Sequence, residues 1–339
     1  MKRTTKTVLA GLALLVAGGA TLAISGGLPT PPGVEVQQAT APDPGSEPLD
    51  LMIWKPTAPA ASGSRPLIVI SHGTGGSNTG HSDTAAALAQ AGYVVVAVTH
   101  TGDNYRDTSG VGKGTHLLPR ARHVSRTIDF MLRTWPEHAQ IDQHRIGMFG
   151  HSAGGFTALV VAGAEPDLTR TATLCRHQPE AWTCRYVERH GLSRDKLAGQ
   201  KNIAWSHDPR VRSIAIAAPA VGYAFDRERL AHVNIPVQLW GAETDDIVDD
   251  SADLIRRALP APPEYHRVAK AGHFSFLMPC NGTMRTLITV MHWFGTEAVC
   301  DDPAGFDRER FHQDFNRSLV GFFRRSLPAS KPARQVPRI

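Results

Sequence analysis

Residues 146–156 read Ile146-Gly147-Met148-Phe149-Gly150-His151-Ser152-Ala153-Gly154-Gly155-Phe156, an apolar strand-like segment that meets an apolar helical one through Gly-x-Ser-x-Gly. A serine held on a sharp strand-to-helix turn carries its hydroxyl where a substrate can reach it. The flanking glycines suit that turn, because a Cβ at either position collides with the adjoining strand and helix. Five residues alone recur by chance. Weight comes from residues further along the chain: an acidic cluster at Asp245 and Asp246, then Ala271-Gly272-His273, which gives the order serine, acid, histidine.

That order matters because a serine hydroxyl is a poor nucleophile at neutral pH. It needs a base for its proton, a carboxylate to orient that base, and N–H donors for the oxyanion. His273 is the expected base, since it follows a strand-like run in a glycine-containing loop. Asp245 is the expected acid: it lies a few residues beyond Val237 to Trp240 and just before the apolar pair Ile247 and Val248, which pins the loop to the core. Asp246 is the alternative, and Glu243, Asp249 and Asp250 read as a solvated helix start, where negative charge suits the helix dipole. For the oxyanion, the backbone amide of Ala153 is one expected donor. The glycine-rich loop Ser71-His72-Gly73-Thr74-Gly75-Gly76 is expected to bring the other, Thr74 N–H. His72 and His151 are expected to shape the site by hydrogen bonding and not to act as second bases. No His-Glu-x-x-His spacing suggests a metal, and no Lys-Ser/Thr follows Gly73, Gly75 and Gly76 to make a phosphate loop, so neither metal nor cofactor is expected.

The surrounding pattern implies an α/β fold. Leu67 to Ile70 and Tyr93 to Val98 are short continuous apolar runs, which suit strands buried on both faces of a parallel sheet. Leu49 to Trp54, Ile214 to Ala218, Val237 to Trp240 and Tyr265 to Val268 read as further strands. Helical patterns fall near 82–91, 120–135, 226–232, 250–258 and 307–326. In the second of these Val124, Ile128, Met131, Leu132 and Trp135 form the apolar stripe, and Arg120, Arg122, Arg126 and Arg133 are assigned to the polar face. Strands alternating with helices imply a mostly parallel sheet with helices on both faces. Residues 164–210 are polar and break this rhythm after the nucleophile helix, as a small insertion capping the site would.

With 339 residues and 42% hydrophobic composition the chain can bury a large core, and one domain over 49–326 is expected. Lys2, Arg3 and Lys6 precede an apolar run from Val8 to Ala17 and small residues through Ala23, which is the pattern of an export signal over residues 1–25, cleaved after Ala20 or Ala23. The alternative is an uncleaved membrane anchor over residues 8–24. A Pro/Gly/Ser/Ala-rich linker at 26–48 comes next, and a basic, Pro-rich, disordered tail at 327–339 closes the chain. Removing three of 36 basic residues with the leader takes the formal charge from +5 to +2. No basic run remains in the body, so nucleic-acid binding has no support. Export to the periplasm or the exterior favours oxidised cysteines. The four allow three pairings, of which sequence proximity favours Cys175 with Cys184 and Cys280 with Cys300.

Several stretches carry a family resemblance: Leu67 to Gly76, YVVVAVTHTGD at 93–103, GHSAGG at 150–155, AGHFSFL at 271–277 with Cys280, and CDDPAGFDRERFH at 300–312. Together they resemble the bacterial predicted dienelactone hydrolases related to platelet-activating-factor acetylhydrolase, over most of residues 49–326. The resemblance implies an α/β-hydrolase fold, a Ser152, Asp245 and His273 triad, and oxyanion amides at Thr74 and Ala153. It also departs from the family at one place. Dienelactone hydrolases proper carry a cysteine nucleophile where this chain has Ser152, so the family label says little about a dienelactone substrate. The expected function is a serine carboxylic-ester hydrolase acting on short to medium acyl esters. A phospholipid acyl hydrolase, a peptidase or amidase, and a catalytically silent binding module are the alternatives. The expected partner is a small-molecule or lipid ester, with membrane contact only through an uncleaved leader.

Overall fold

The alternation of side chains along the central strands sends residues to two separate cores. Leu67 and Val69 point to one face and Ile68 and Ile70 to the other, all of them buried, so this sheet must be covered on both sides. The computed structural model describes residues 30–60, 64–112, 114–191, 203–248, 250–292 and 297–329. Within them lies an eight-stranded sheet: β1 (Val34–Ala41), β2 (Leu49–Pro56), β3 (Arg65–Ser71), β4 (Val94–Thr99), β5 (Ile141–His151), β6 (Val211–Ala217), β7 (Val237–Ala242) and β8 (Glu264–Val268). The order is β1-β2-β4-β3-β5-β6-β7-β8. The β1/β2 and β2/β4 pairs are antiparallel, and the remaining pairs are parallel.

Helices α1 (Ser82–Gln90), α2 (Arg120–Arg133), α3 (Ala153–Val161), α4 (Arg170–His177), α5 (Trp182–Arg189), α6 (Ser251–Ala258), α7 (Gly282–His292) and α8 (Arg308–Ser326) connect and flank the strands. On one face Val124, Ile128 and Met131 of α2, Phe156 and Leu159 of α3 and Ile255 of α6 meet the sheet. On the other, Ala85 and Leu88 of α1 join Phe315, Leu319, Phe322 and Phe323 of α8. Gly147 admits this second layer: a Cβ there would lie 2.8 Å from the Phe323 ring and 2.9 Å from Ile68.

Three expectations need correction. The segment assigned to a linker contains β1, paired with β2 from Val34↔Pro56 to Ala41↔Leu49. It is an edge strand whose Val34 and Ala41 are buried while the polar residues between them are exposed or half-buried, and such a strand has the composition of a linker. The expected helix at 226–232 is a set of turns, in which the Asp226 carboxylate takes the Arg229 N–H at 2.9 Å. Finally, Arg120 is fully buried and not on the polar face of α2.

Both expected cysteine pairs are disulfides, Cys175–Cys184 and Cys280–Cys300. The first ties α4 to α5 in the insertion, and Trp205 anchors its return by packing on Phe156 of α3 at 5.7 Å between ring centres. The leader (1–25) and residues 330–339 of the tail lie outside the described residues, as does Asp249. Among the described residues no helix is long and apolar enough to cross a membrane.

Candidate active site

Ser152 stands between β5 and α3 with φ 54° and ψ −117°, a conformation an L-residue adopts only when its surroundings hold it there. They do so here. Ser152 N–H donates to Ala217 O at 3.0 Å, and Ser152 O accepts from Gly155 N–H at 2.9 Å and from Ala220 N–H at 3.0 Å. The turn is possible because its neighbours lack side chains. A Cβ on Gly150 would lie 2.1 Å from Gly154 O, and one on Gly154 would lie 1.9 Å from Ser71 O.

The three residues singled out in the sequence meet at this turn. His273 Nε2 is 2.9 Å from Ser152 Oγ, and its Nδ1 is 2.9 Å from Asp245 Oδ2. Because a carboxylate only accepts, Nδ1 carries the proton and Nε2 is left to accept from the serine hydroxyl. Asp245 Oδ1 accepts Ile247 N–H and Val248 N–H, each at 3.0 Å. Burial acts to raise the Asp245 carboxyl, but the His273 ring and these two amides outweigh it, and its pKa falls below the ordinary value. The side chains of Asp245 and His273 are 2% and 3% exposed, so the pair is shielded from water. Asp246, the alternative acid, is exposed, as are Glu243 and Asp250.

Ala153 directly follows Ser152, and the Thr74 loop approaches it through Gly73, where a Cβ would lie 3.1 Å from Ser152 Cβ. Among the described residues neither the Thr74 nor the Ala153 backbone N–H is taken up by a hydrogen bond. His72 and His151 hold the backbone around them. His72 Nε2 accepts His100 N–H at 3.1 Å while Nδ1 donates to Gly73 O at 2.6 Å. His151 Nε2 donates to His273 O at 3.0 Å. Burial pushes the His72 imidazole down to about 3 and His151 well below the ordinary histidine value, so both are neutral.

Sequence reasoning missed the residues that clamp the His273 loop. Ser275 Oγ takes Gly272 N–H and donates to Asp302, which is held in turn by Arg308 at 2.8–3.0 Å. His312 bonds Asp83 at 2.6 Å and Ser275 O at 3.0 Å. The signal was present in the run at 300–312, whose Asp302, Arg308 and His312 are these residues, but no local rule connects them to residue 273. Among the described residues no group of three His, Cys, Asp or Glu side chains is placed to hold a metal.

Ser152 after β5, Asp245 after β7 and His273 after β8 stand at the ends of a sheet whose central strands are parallel, and the fold that carries them recurs in solved structures. A dienelactone hydrolase from Anabaena variabilis ATCC 29413 superposes with a TM-score of 0.51 at 14% identity, covering 87% of this chain and 99% of its own. A ferulic acid esterase from Streptomyces cinnamoneus does so with 0.52 at 18% identity, covering 92% and 94%. The chain has the α/β-hydrolase fold. The likeness to dienelactone hydrolases expected from the motifs therefore holds at the level of the α/β-hydrolase architecture. A Chlorophyllase family model matches residues 27–174, which takes in the Thr74 loop and the Ser152 turn but neither Asp245 nor His273. No curated protein matches the sequence.

Proposed function

We propose that the protein is an exported serine carboxylic-ester hydrolase. The observation that carries this reading is the continuous hydrogen-bonded chain from Asp245 through His273 to Ser152 Oγ. His273 Nε2 takes the hydroxyl proton as Oγ attacks the ester carbonyl. The oxyanion that forms is met by Thr74 N–H and Ala153 N–H. His273 then protonates the leaving alcohol, and a water activated by the same ring opens the acyl-enzyme at Ser152. Asp245 keeps the imidazole in the tautomer this sequence of transfers needs. The esterase and hydrolase among the solved structures of like fold accord with an ester substrate, and the two disulfides accord with an oxidising compartment.

The test is release of p-nitrophenol from short-chain acyl esters by the full-length protein, beside Ser152→Ala. The reading requires turnover by the first and none above background by the second, together with labelling of Ser152 by a fluorophosphonate. Turnover that survives Ser152→Ala, or a folded protein whose Ser152 does not label, overturns it.

A further inference from the structure

Arg120 is the residue whose position local pattern got wrong, and such failures concentrate where function overrides local preference. It opens α2 yet points inward, and its guanidinium and the Asp103 carboxylate are both 0% exposed, 2.6 Å apart. Burial acts to raise the Asp103 carboxyl, but Arg120 outweighs it and holds the pKa below the ordinary value, so the pair is ionised. The rings around the pair, His72, His100 and His116, all have pKa values lowered by burial, so Asp103 faces Arg120 among neutral histidines. A buried ion pair of this kind adds little net stability, because desolvation cancels most of the attraction. What it does supply is fixed direction.

Every donor of Arg120 leads to the oxyanion site. Nη2 donates to His72 O and, at 3.4 Å, to Ser71 Oγ, at the entrance of the Thr74 loop. Through Nη1 it holds Asp103, whose other oxygen takes Gly75 N–H at 2.9 Å on the exit side of Thr74. Nε donates to Thr157 Oγ1 at 3.1 Å, and that hydroxyl donates to Ala153 O at 2.7 Å. One guanidinium is thus tied to both arms, the loop presenting Thr74 N–H and the helix start presenting Ala153 N–H. Gly75 has φ +69° with nothing within 4 Å of where a Cβ would sit. No side-chain packing holds the loop at that residue, and its N–H is fixed by Asp103.

We propose that Arg120 and Asp103 are positioning residues that set the separation of the two oxyanion amides, with Thr157 as the link to the Ala153 arm. The inference rests on the esterase reading above. It differs from a purely structural role in what it moves. The amides engage the oxyanion more strongly than the ground-state carbonyl, so loosening them costs turnover and not substrate binding.

The experiment compares full-length wild type with Arg120→Lys, Asp103→Asn and Thr157→Val on a p-nitrophenyl ester. Inhibition by a trifluoromethyl ketone, which forms an oxyanion adduct on serine, is measured alongside. Fluorophosphonate titration counts competent sites. For Arg120→Lys and Asp103→Asn we expect kcat per site to fall about 10- to 100-fold, less than the roughly 100- to 1000-fold of losing an oxyanion donor outright, with KM within about threefold. Ketone affinity falls in step with kcat. Thr157→Val, which keeps side-chain shape, gives a smaller fall of the same kind and decides the matter if the charged variants fail to fold. Wild-type kcat per competent site in the folded variants, or losses confined to KM, overturns the inference and leaves the esterase reading standing. Absence of Ser152-dependent turnover in wild type overturns both.

Discussion

His151 donates its Nε2 proton to the main-chain oxygen of His273 at 3.0 Å, so the residue before Ser152 holds the backbone of the histidine whose ring meets the Ser152 hydroxyl. The rings lie 4.9 Å apart between centres. Because Nε2 is the donor, Nδ1 of the neutral ring is an acceptor, and it is buried with no partner among the described residues. The bond sets the height of the His273 loop over Ser152 independently of Asp245. His151→Phe keeps the ring and loses the donor. We expect its kcat to fall about tenfold, on the scale of roughly 1–1.5 kcal/mol for one buried hydrogen bond, with little change in KM. Steady-state kinetics beside a thermal melt checks this.

The two neighbouring aspartates should separate cleanly. Asp245→Asn leaves the size of the side chain but favours the wrong His273 tautomer, and a loss of about 10⁴-fold in kcat is expected. Asp246→Asn alters an exposed carboxylate and should stay within twofold of wild type. Equal effects at both positions would refute the assignment of the acid.

The Ser152 turn should refuse side chains. Gly154→Ala places a methyl 1.9 Å from Ser71 O, backbone that belongs to β3 and cannot step aside. Loss of both activity and soluble expression is expected. An active, stable Gly154→Ala protein would mean that β3 and α3 pack more loosely than described.

Acid should weaken the fold earlier than carboxylates alone would dictate. His72 and His123 are held down to about 3 and His81 to about 4, in each case chiefly by burial, against 6.5 in the unfolded chain. Their folded pKa values are depressed, so the unfolded state binds more protons below pH 6.5. Their contribution is complete above that pH and is lost as the pH falls towards 4 and 3. Each histidine adds a slope of roughly 1 kcal/mol per pH unit in that window. Urea unfolding at pH 8, 6.5, 5.5 and 4.5 should show a plateau and then a steep decline. A stability flat from pH 8 to 4.5 would contradict buried neutral histidines.

The disulfides should differ in consequence. Cys280–Cys300 spans 20 residues and is worth about 3 kcal/mol on chain-entropy grounds, and Cys175–Cys184, spanning 9, somewhat less. Beyond that difference, Val299 O and Cys300 O accept from Arg308 and Arg285. Arg308 also holds the Asp302 that clamps Ser275 in the His273 loop. Opening Cys280–Cys300 with paired serines should therefore lower kcat as well as the melting temperature, whereas opening Cys175–Cys184 should lower mainly the latter.

The amino-acid sequence by itself determined what depends on local stereochemistry and periodicity. The Gly150-His151-Ser152-Ala153-Gly154 turn, the doubly buried strands such as Leu67 to Ile70, the helix over 307–326, and the chain order of Ser152, Asp245 and His273 were all legible, because each is written within a short stretch or in chain order. Tertiary structure alone decided which of two adjacent aspartates turns inward, that Val34–Ala41 completes the sheet, and that Arg120 leaves the polar face of its helix to join Asp103. Those outcomes depend on partners that folding brings together: a ring 28 residues from Asp245, an antiparallel neighbour for β1, and a buried carboxylate 17 residues before Arg120. A helical arginine faces water by default, and only a charge already waiting inside the fold makes the inward position the better one.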